Sequence, residues 1–174
     1  VDIDSLEHLL AIESIRQLKA RYCRWIDTKQ WQRLPELFTD DCTFDGMGWG
    51  DSNADVHAFV SGVSKRHATT ISVHHVHPSE IVLTSATTAR GIWAMEDFVE
   101  WQGPDALREG GTEKGFRGYG HYEEEYRKVG KDWKISFLRL TRLRIDPVMA
   151  DAPPARKGQR QASPDWLERG RGAN

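Results

Sequence analysis

The chain has 174 residues, 39% of them hydrophobic and 29% charged, with a formal net charge of -2. That is one domain by length, with enough apolar side chain to bury a core, and the balance excludes a largely disordered polymer. No overall basic field exists to hold nucleic acid or an anionic membrane, and no apolar run reaches the roughly 18–20 residues of a membrane span.

Val1 to Ser5 lacks a basic-then-apolar leader pattern. From Asp4 to Lys29, Leu6, Leu9, Leu10, Ile15, Leu18, Tyr22, Trp25 and Ile26 recur at helical spacing and predict one long helix with a buried stripe. A second short helix is expected over Trp31 to Phe38, with Pro35 near its first turn. Cys42 to Gly46 reads as a short strand. Ala54 to Arg66 carries Val56, Phe59, Val60 and Val63 at helical spacing and reads as a third helix.

From Thr70 the period changes to two. Thr70 to Leu83, Thr88 to Trp101, Gly118 to Val129 and Trp133 to Asp146 read as four strands of an antiparallel meander, with a glycine-rich loop over Gln102 to Gly115. Helices followed by a meander give an α+β fold, with helices packed on one face of a curved sheet. The chain divides into a domain over residues 1–147 and an extended or disordered arm over 148–174, in which Trp166 and Leu167 could anchor on a neighbouring subunit. Cys23 and Cys42 are too few for a disulfide scaffold and too isolated for a zinc motif. They read as buried free thiols, and a cytoplasmic location follows.

Four places could carry chemistry. Tyr22 lies on the buried stripe, where its hydroxyl needs a partner, and Asp27 follows Trp25 and Ile26 where a solvated face is not expected. Asp27 is a base, an orienter of a histidine, or a cap for the next turn. In the strand Ser72 to Pro78, His74 shares a face with Ser72 and Val76, while His75 and His77 share the other. The His75 and His77 pair has metal-ligand character, but no third ligand is spaced for it, and no metal is expected. Trp93, Met95 and Asp97 alternate with Ile92, Ala94, Glu96 and Phe98, so one of the two acids is buried or both sit at a rim. On the last strand Arg142 shares a face with Leu138, Leu140 and Arg144, suited to binding an oxyanion or a carboxylate. His121 and Glu123 to Glu125 read as a solvated or interface face, and Gly118-Tyr119-Gly120 is no nucleotide fingerprint because no helix follows it.

Ile12 to Tyr22, Trp93 to Asp97, Gly120-His121-Tyr122, Trp133-Lys134-Ile135 and Leu140 to Leu143 together resemble the SnoaL-like branch of the nuclear-transport-factor-2-like superfamily, over roughly residues 5 to 147. The branch is similar to scytalone dehydratase, bile acid 7α-dehydratase and hexachlorocyclohexane dehydrochlorinase. The resemblance implies a cone-shaped barrel, helices on a strongly curved, mainly antiparallel sheet enclosing one cavity. It implies a cofactor-free elimination in which His74 and Asp27 form the acid–base dyad, aided by Tyr22, Asp97 and Arg142. Trp25, Trp93 and Met95 then supply surface for a small, mostly apolar, hydroxylated ring. A steroid- or polyketide-type isomerase or cyclase is the second reading. A non-catalytic ligand-binding or assembly subunit, of the ring-hydroxylating dioxygenase small-subunit type, is the third. The resemblance also implies a homo-oligomer, a trimer before a dimer.

Overall fold

In the computed structural model, residues 3–47, 54–102, 111–153 and 166–169 are described. The elements are α1 (Ile3–Asp27), a 3₁₀ turn (Leu34–Leu37), β1 (Phe38–Asp45), α2 (Val56–His67), β2 (Thr70–Leu83), β3 (Thr88–Trp101), β4 (Glu113–Val129), β5 (Asp132–Met149) and the short α3 (Trp166–Arg169). The strands form one sheet in the order β1-β5-β4-β3-β2. The expected α+β architecture holds: α1 and α2 close one face of a curved sheet, and the core lies between.

The meander β2 to β5 is antiparallel throughout, whereas β1 runs parallel to β5 at the sheet edge. Register slips in the β4–β5 ladder, between Tyr119 and Gly120 and between Glu125 and Tyr126, mark bulges that bend the sheet around the helices. Inward positions are Trp93, Met95 and Asp97 on β3, Tyr122, Glu124 and Tyr126 on β4, and Ile135, Leu138 and Leu140 on β5, all buried. The alternation of β3 is therefore resolved: its Trp93 face is the core face.

Several boundaries differ from the sequence reading, each for a local reason. The expected helix over Trp31 to Phe38 shrinks to the single turn at Leu34–Leu37, and β1 begins at Phe38 rather than Cys42. β4 begins at Glu113, inside what reads as a loop. A Cβ on Gly115 would overlap the Val99 carbonyl, so this glycine permits close strand approach and is not a turn residue. α1 buries Ala11, Ile15, Leu18, Tyr22, Trp25 and Ile26, but Leu6, Leu9 and Leu10 at its start are 50–60% exposed. Lys19 lies within the stripe and is fully buried.

The arm expected over residues 148–174 falls largely outside the described residues. β5 runs on to Met149, Ala150 N–H donates to the Thr112 carbonyl at 2.7 Å, and Trp166 and Leu167 are exposed in the single chain. Cys23 and Cys42 are free and buried, and burial pushes both thiols up to about 12. No helix among the described residues is long and apolar enough to cross a membrane.

Candidate active site

α1 ends in a way that exposes one carboxylate to β2. Lys29 adopts a left-handed φ of 61°, which stops the helix, and its N–H donates to the Ile26 carbonyl at 3.1 Å. Asp27 is thus the last helical residue, at the end where the helix dipole disfavours a negative charge. Two hydrogen bonds from one residue hold it there. His74 donates its backbone N–H to Asp27 Oδ2 at 2.8 Å, and His74 Nδ1 lies 2.6 Å from Asp27 Oδ1. The second contact fixes the proton of a neutral imidazole on Nδ1 and leaves Nε2 as a bare lone pair. The His74 side chain is 7% exposed and that of Asp27 22%.

The sheet register sets the rest. His74 pairs with Asp97 across β2 and β3, and Asp97 pairs with Gly118 across β3 and β4. Arg142 reaches over Gly118 and grips Asp97 with both guanidinium nitrogens, NH1 to Oδ1 and NH2 to Oδ2, each at 2.6 Å. A Cβ on Gly118 would overlap the Arg142 guanidinium and the Asp97 carboxylate. A Cβ on Gly120 would overlap the Thr141 carbonyl. The Gly-Tyr-Gly motif is therefore the bed of an ion pair. The slip beside Gly120 turns Arg144 out of register with Arg142: Arg144 pairs with Tyr119 and is held by Asp146 on the exposed face. The expected shared face of Arg142 and Arg144 is corrected accordingly. Burial works against the Arg142 charge, but its bonds to Asp97 outweigh this and raise its pKa.

Tyr22 and Tyr122 meet edge to face, with centroids 5.9 Å apart, and both line the same cavity as His74, Asp97 and Arg142. Burial, with nearby acidic groups, raises both hydroxyls well above the ordinary tyrosine range, so they stay protonated. The cavity has a volume of about 60 Å³, with Val63, Phe116 and Leu140 as part of its apolar wall.

The other predicted residues sit apart from that cavity. Trp25 is 2% exposed and packs under the Arg33 guanidinium, 4.5 Å from its ring, not in the cavity wall. Trp93 lies deeper, donating Nε1–H to the Tyr126 hydroxyl at 2.8 Å. Met95 lies behind Arg142, with Sδ 3.7 Å from NH1. His75 is on the outer face against Glu96 at 3.2 Å, and His77 is exposed. Among the described residues no three His, Cys, Asp or Glu side chains gather as metal ligands.

Besides Tyr122, several polar groups in and around the cavity went unread in the sequence. His67, the last residue of α2, lines the cavity with its ring 6.0 Å from that of His74. The spacing Val56, Phe59, Val63, His67 places it on the buried face of α2, and extending the helix by one residue would have found it. Lys29 donates to Ser72 Oγ at 2.9 Å and Thr70 Oγ1 at 3.3 Å, beside the dyad. Lys19 pairs with Glu124 at 2.5 Å, both side chains fully buried, with its ammonium 3.3 Å from the Tyr122 ring centroid. Tyr126 donates to the other oxygen of Glu124. Glu124 is thus an interior group, not part of a solvated face; alternation turns Glu123 and Glu125 outward while it points in.

A model of the SnoaL-like domain matches residues 7–139. The chain belongs to the SnoaL-like domain family. A Gibberella zeae protein carried under the name Probable cyclase FGR4 is 30% identical over 139 residues, 74% of this chain and 89% of that one. Among solved structures, a hexachlorocyclohexane dehydrochlorinase (LinA) of type 2 superposes with a TM-score of 0.66 at 20% identity, covering 86% of this chain and 98% of that one. A scytalone dehydratase-like protein of Novosphingobium aromaticivorans gives 0.69 at 17% identity, covering 86% and 99%. These likenesses show that the SnoaL-like chain shares the fold of those two structures.

Proposed function

We propose that this SnoaL-like protein is a cofactor-free acid–base catalyst, a dehydratase-like lyase acting on a small cyclic, mostly apolar, hydroxylated compound. The observation that carries the reading is the pair of hydrogen bonds from one histidine of the cavity wall to one carboxylate: His74 N and Nδ1 on the two oxygens of Asp27. The arrangement aims a bare Nε2 while Asp27 stabilises the imidazolium that forms. The names of the relatives, a cyclase, a dehydrochlorinase and a scytalone dehydratase-like protein, support it.

In this mechanism His74 Nε2 takes a proton from a ring carbon next to the one bearing a hydroxyl. The C–H electrons form the new C=C bond as the C–O bond breaks. The imidazolium returns its proton to the departing oxygen, so that one water leaves and His74 ends neutral. The Tyr22 hydroxyl, which accepts a hydrogen bond from Tyr122, donates its own to an oxygen that gains charge, worth up to about 3–4 kcal/mol when well placed. The Asp97–Arg142 pair sums to zero charge, which suits an uncharged substrate. The hollow of about 60 Å³ is smaller than the roughly 150 Å³ that holds benzene. Ring entry therefore moves side chains, with the half-buried Met47 and Arg66 the candidates on the cavity wall.

A cyclase or isomerase would use the same pair, and the 30% identical relative's name favours that second reading. Product mass separates them: incubation with a panel of hydroxylated ring compounds gives loss of water for the lyase and an isomeric product for the alternative. His74→Ala, checked for retained secondary structure, is expected to abolish either. Turnover by His74→Ala at the wild-type rate would rule out both. Self-association is a further part of the proposal. Val73, Val82 and Ile92 are exposed on the outer sheet face, where Val82 and Ile92 line a groove of about 380 Å³. That face suits a second copy of the chain, and a monomer at micromolar concentration would refute it.

A further inference from the structure

We propose that His67 is a substrate-binding residue, a neutral hydrogen-bond acceptor that selects ligands presenting a hydroxyl at the α2 end of the cavity. The proposal rests on the reading of this cavity as the ligand site and adds the polarity of one of its walls.

The hydrogen-bond count around Thr70 assigns the tautomer. Thr70 has one hydroxyl proton, and Oγ1 donates it to the His67 backbone carbonyl at 3.2 Å, capping the last turn of α2. The same oxygen receives the Lys29 ammonium at 3.3 Å. His67 Nδ1, 3.2 Å from that oxygen, must then be the donor. A proton on Nδ1 leaves Nε2 as a lone pair, with no partner among the described residues, on a ring that lines the cavity. A second proton is disfavoured: burial lowers the pKa of His67 to about 3, helped by the neighbouring His74 and by the positive charges of Lys29 and Arg66.

The cavity therefore has two acceptor walls of different use. His74, hydrogen-bonded to a carboxylate that can stabilise an imidazolium, suits proton removal. His67, backed by a hydroxyl and crowded by cations, is too weak a base for that and suits holding a proton that stays on its oxygen. Tyr22, backed by a hydrogen bond from Tyr122, supplies the donor. A ligand matching all of them carries an O–H that points at His67 and an acceptor oxygen that points at Tyr22. An unsubstituted ring, or one whose hydroxyl is methylated, leaves the His67 lone pair unmet, which costs about tenfold in affinity.

The test is binding of phenol against anisole to the full-length protein, followed by long-range proton–nitrogen NMR of the imidazoles. We expect His67 to carry its proton on Nδ1, phenol but not anisole to shift the His67 Nε2 resonance, and phenol to bind about tenfold more tightly. In His67→Phe that preference disappears while anisole binding stays within about twofold. Should His67→Phe not fold, the wild-type resonances decide alone. A proton on His67 Nε2, or a phenol preference that survives in His67→Phe, would overturn the proposal. A phenol shift at His74 without one at His67 would overturn it while leaving the dyad reading intact. No response at either imidazole would overturn both.

Discussion

His74 and Asp97 are direct partners across β2 and β3, yet each bonds elsewhere: His74 to Asp27 on α1, Asp97 to Arg142 on β5. The separation matters because an acid with nearly no solvent access would otherwise compete with Asp27 for the imidazole. Arg142 removes that competition by taking both oxygens of Asp97, whose side chain is 4% exposed.

Removing the arginine should therefore be costly. Arg142→Leu leaves a buried carboxylate unpaired and is expected to lower stability by about 3–5 kcal/mol. Adding Asp97→Asn should recover much of the loss, because the charge goes with its partner. Chemical denaturation of the two single variants and the double variant measures this, and independent, additive losses would show that the pair is not coupled.

Gly118→Ala tests the bed under that pair. The added methyl group must displace either the guanidinium or the carboxylate. Destabilisation of about 1–3 kcal/mol is expected. Gly130→Ala is the control of a different kind: its φ of 62° strains a side chain, but a Cβ there meets nothing within 4 Å.

Lys19 and Glu124 provide a second buried pair, and here both partners lie in the core. Lys19→Met should cost about 3–5 kcal/mol, whereas Lys19→Met with Glu124→Gln should cost much less. Thermal unfolding of both variants checks the difference; equal losses would contradict a charge-based cause.

His67 makes an acid-stability prediction. Its pKa falls from 6.5 to about 3 on folding, so the unfolded chain binds the extra proton more readily between those values. The contribution is complete above pH 6.5, and it is lost as pH falls towards about 3. The slope is on the order of 1.4 kcal/mol per pH unit in that window. His67→Phe should flatten it, measured as the difference in unfolding free energy between variant and wild type from pH 7 down to about 4. Parallel curves would contradict a buried neutral His67.

Much of the fold was legible because period carries it. The stripe of α1 and the alternation of β2 and β3 gave their bounds nearly to the residue, since each has one wet and one dry face. What escaped was chemistry that breaks the pattern. Lys19 interrupts an apolar stripe, and nothing local says that Glu124 waits for it 105 residues away. Gly115 carries the composition of a loop and Gly118 opens an expected strand, and only the strands and side chains crossing them explain the absence of a side chain. Trp25 sits on the buried side of α1, but a helix face is wide enough to serve the cavity through Tyr22 and the 3₁₀ turn through Trp25. The meeting of Asp27 with His74 was reached through family resemblance, because a contact across 47 residues has no signature in spacing.

The central claim is that Asp27 holds His74 as a working base, and the most direct measurement is turnover by Asp27→Asn on whichever hydroxylated ring compound the wild type consumes. The amide keeps the size and one acceptor oxygen but cannot stabilise an imidazolium, so the rate should fall by about 10²–10⁴ with folding intact. A folded Asp27→Asn protein turning over at the wild-type rate would contradict the account.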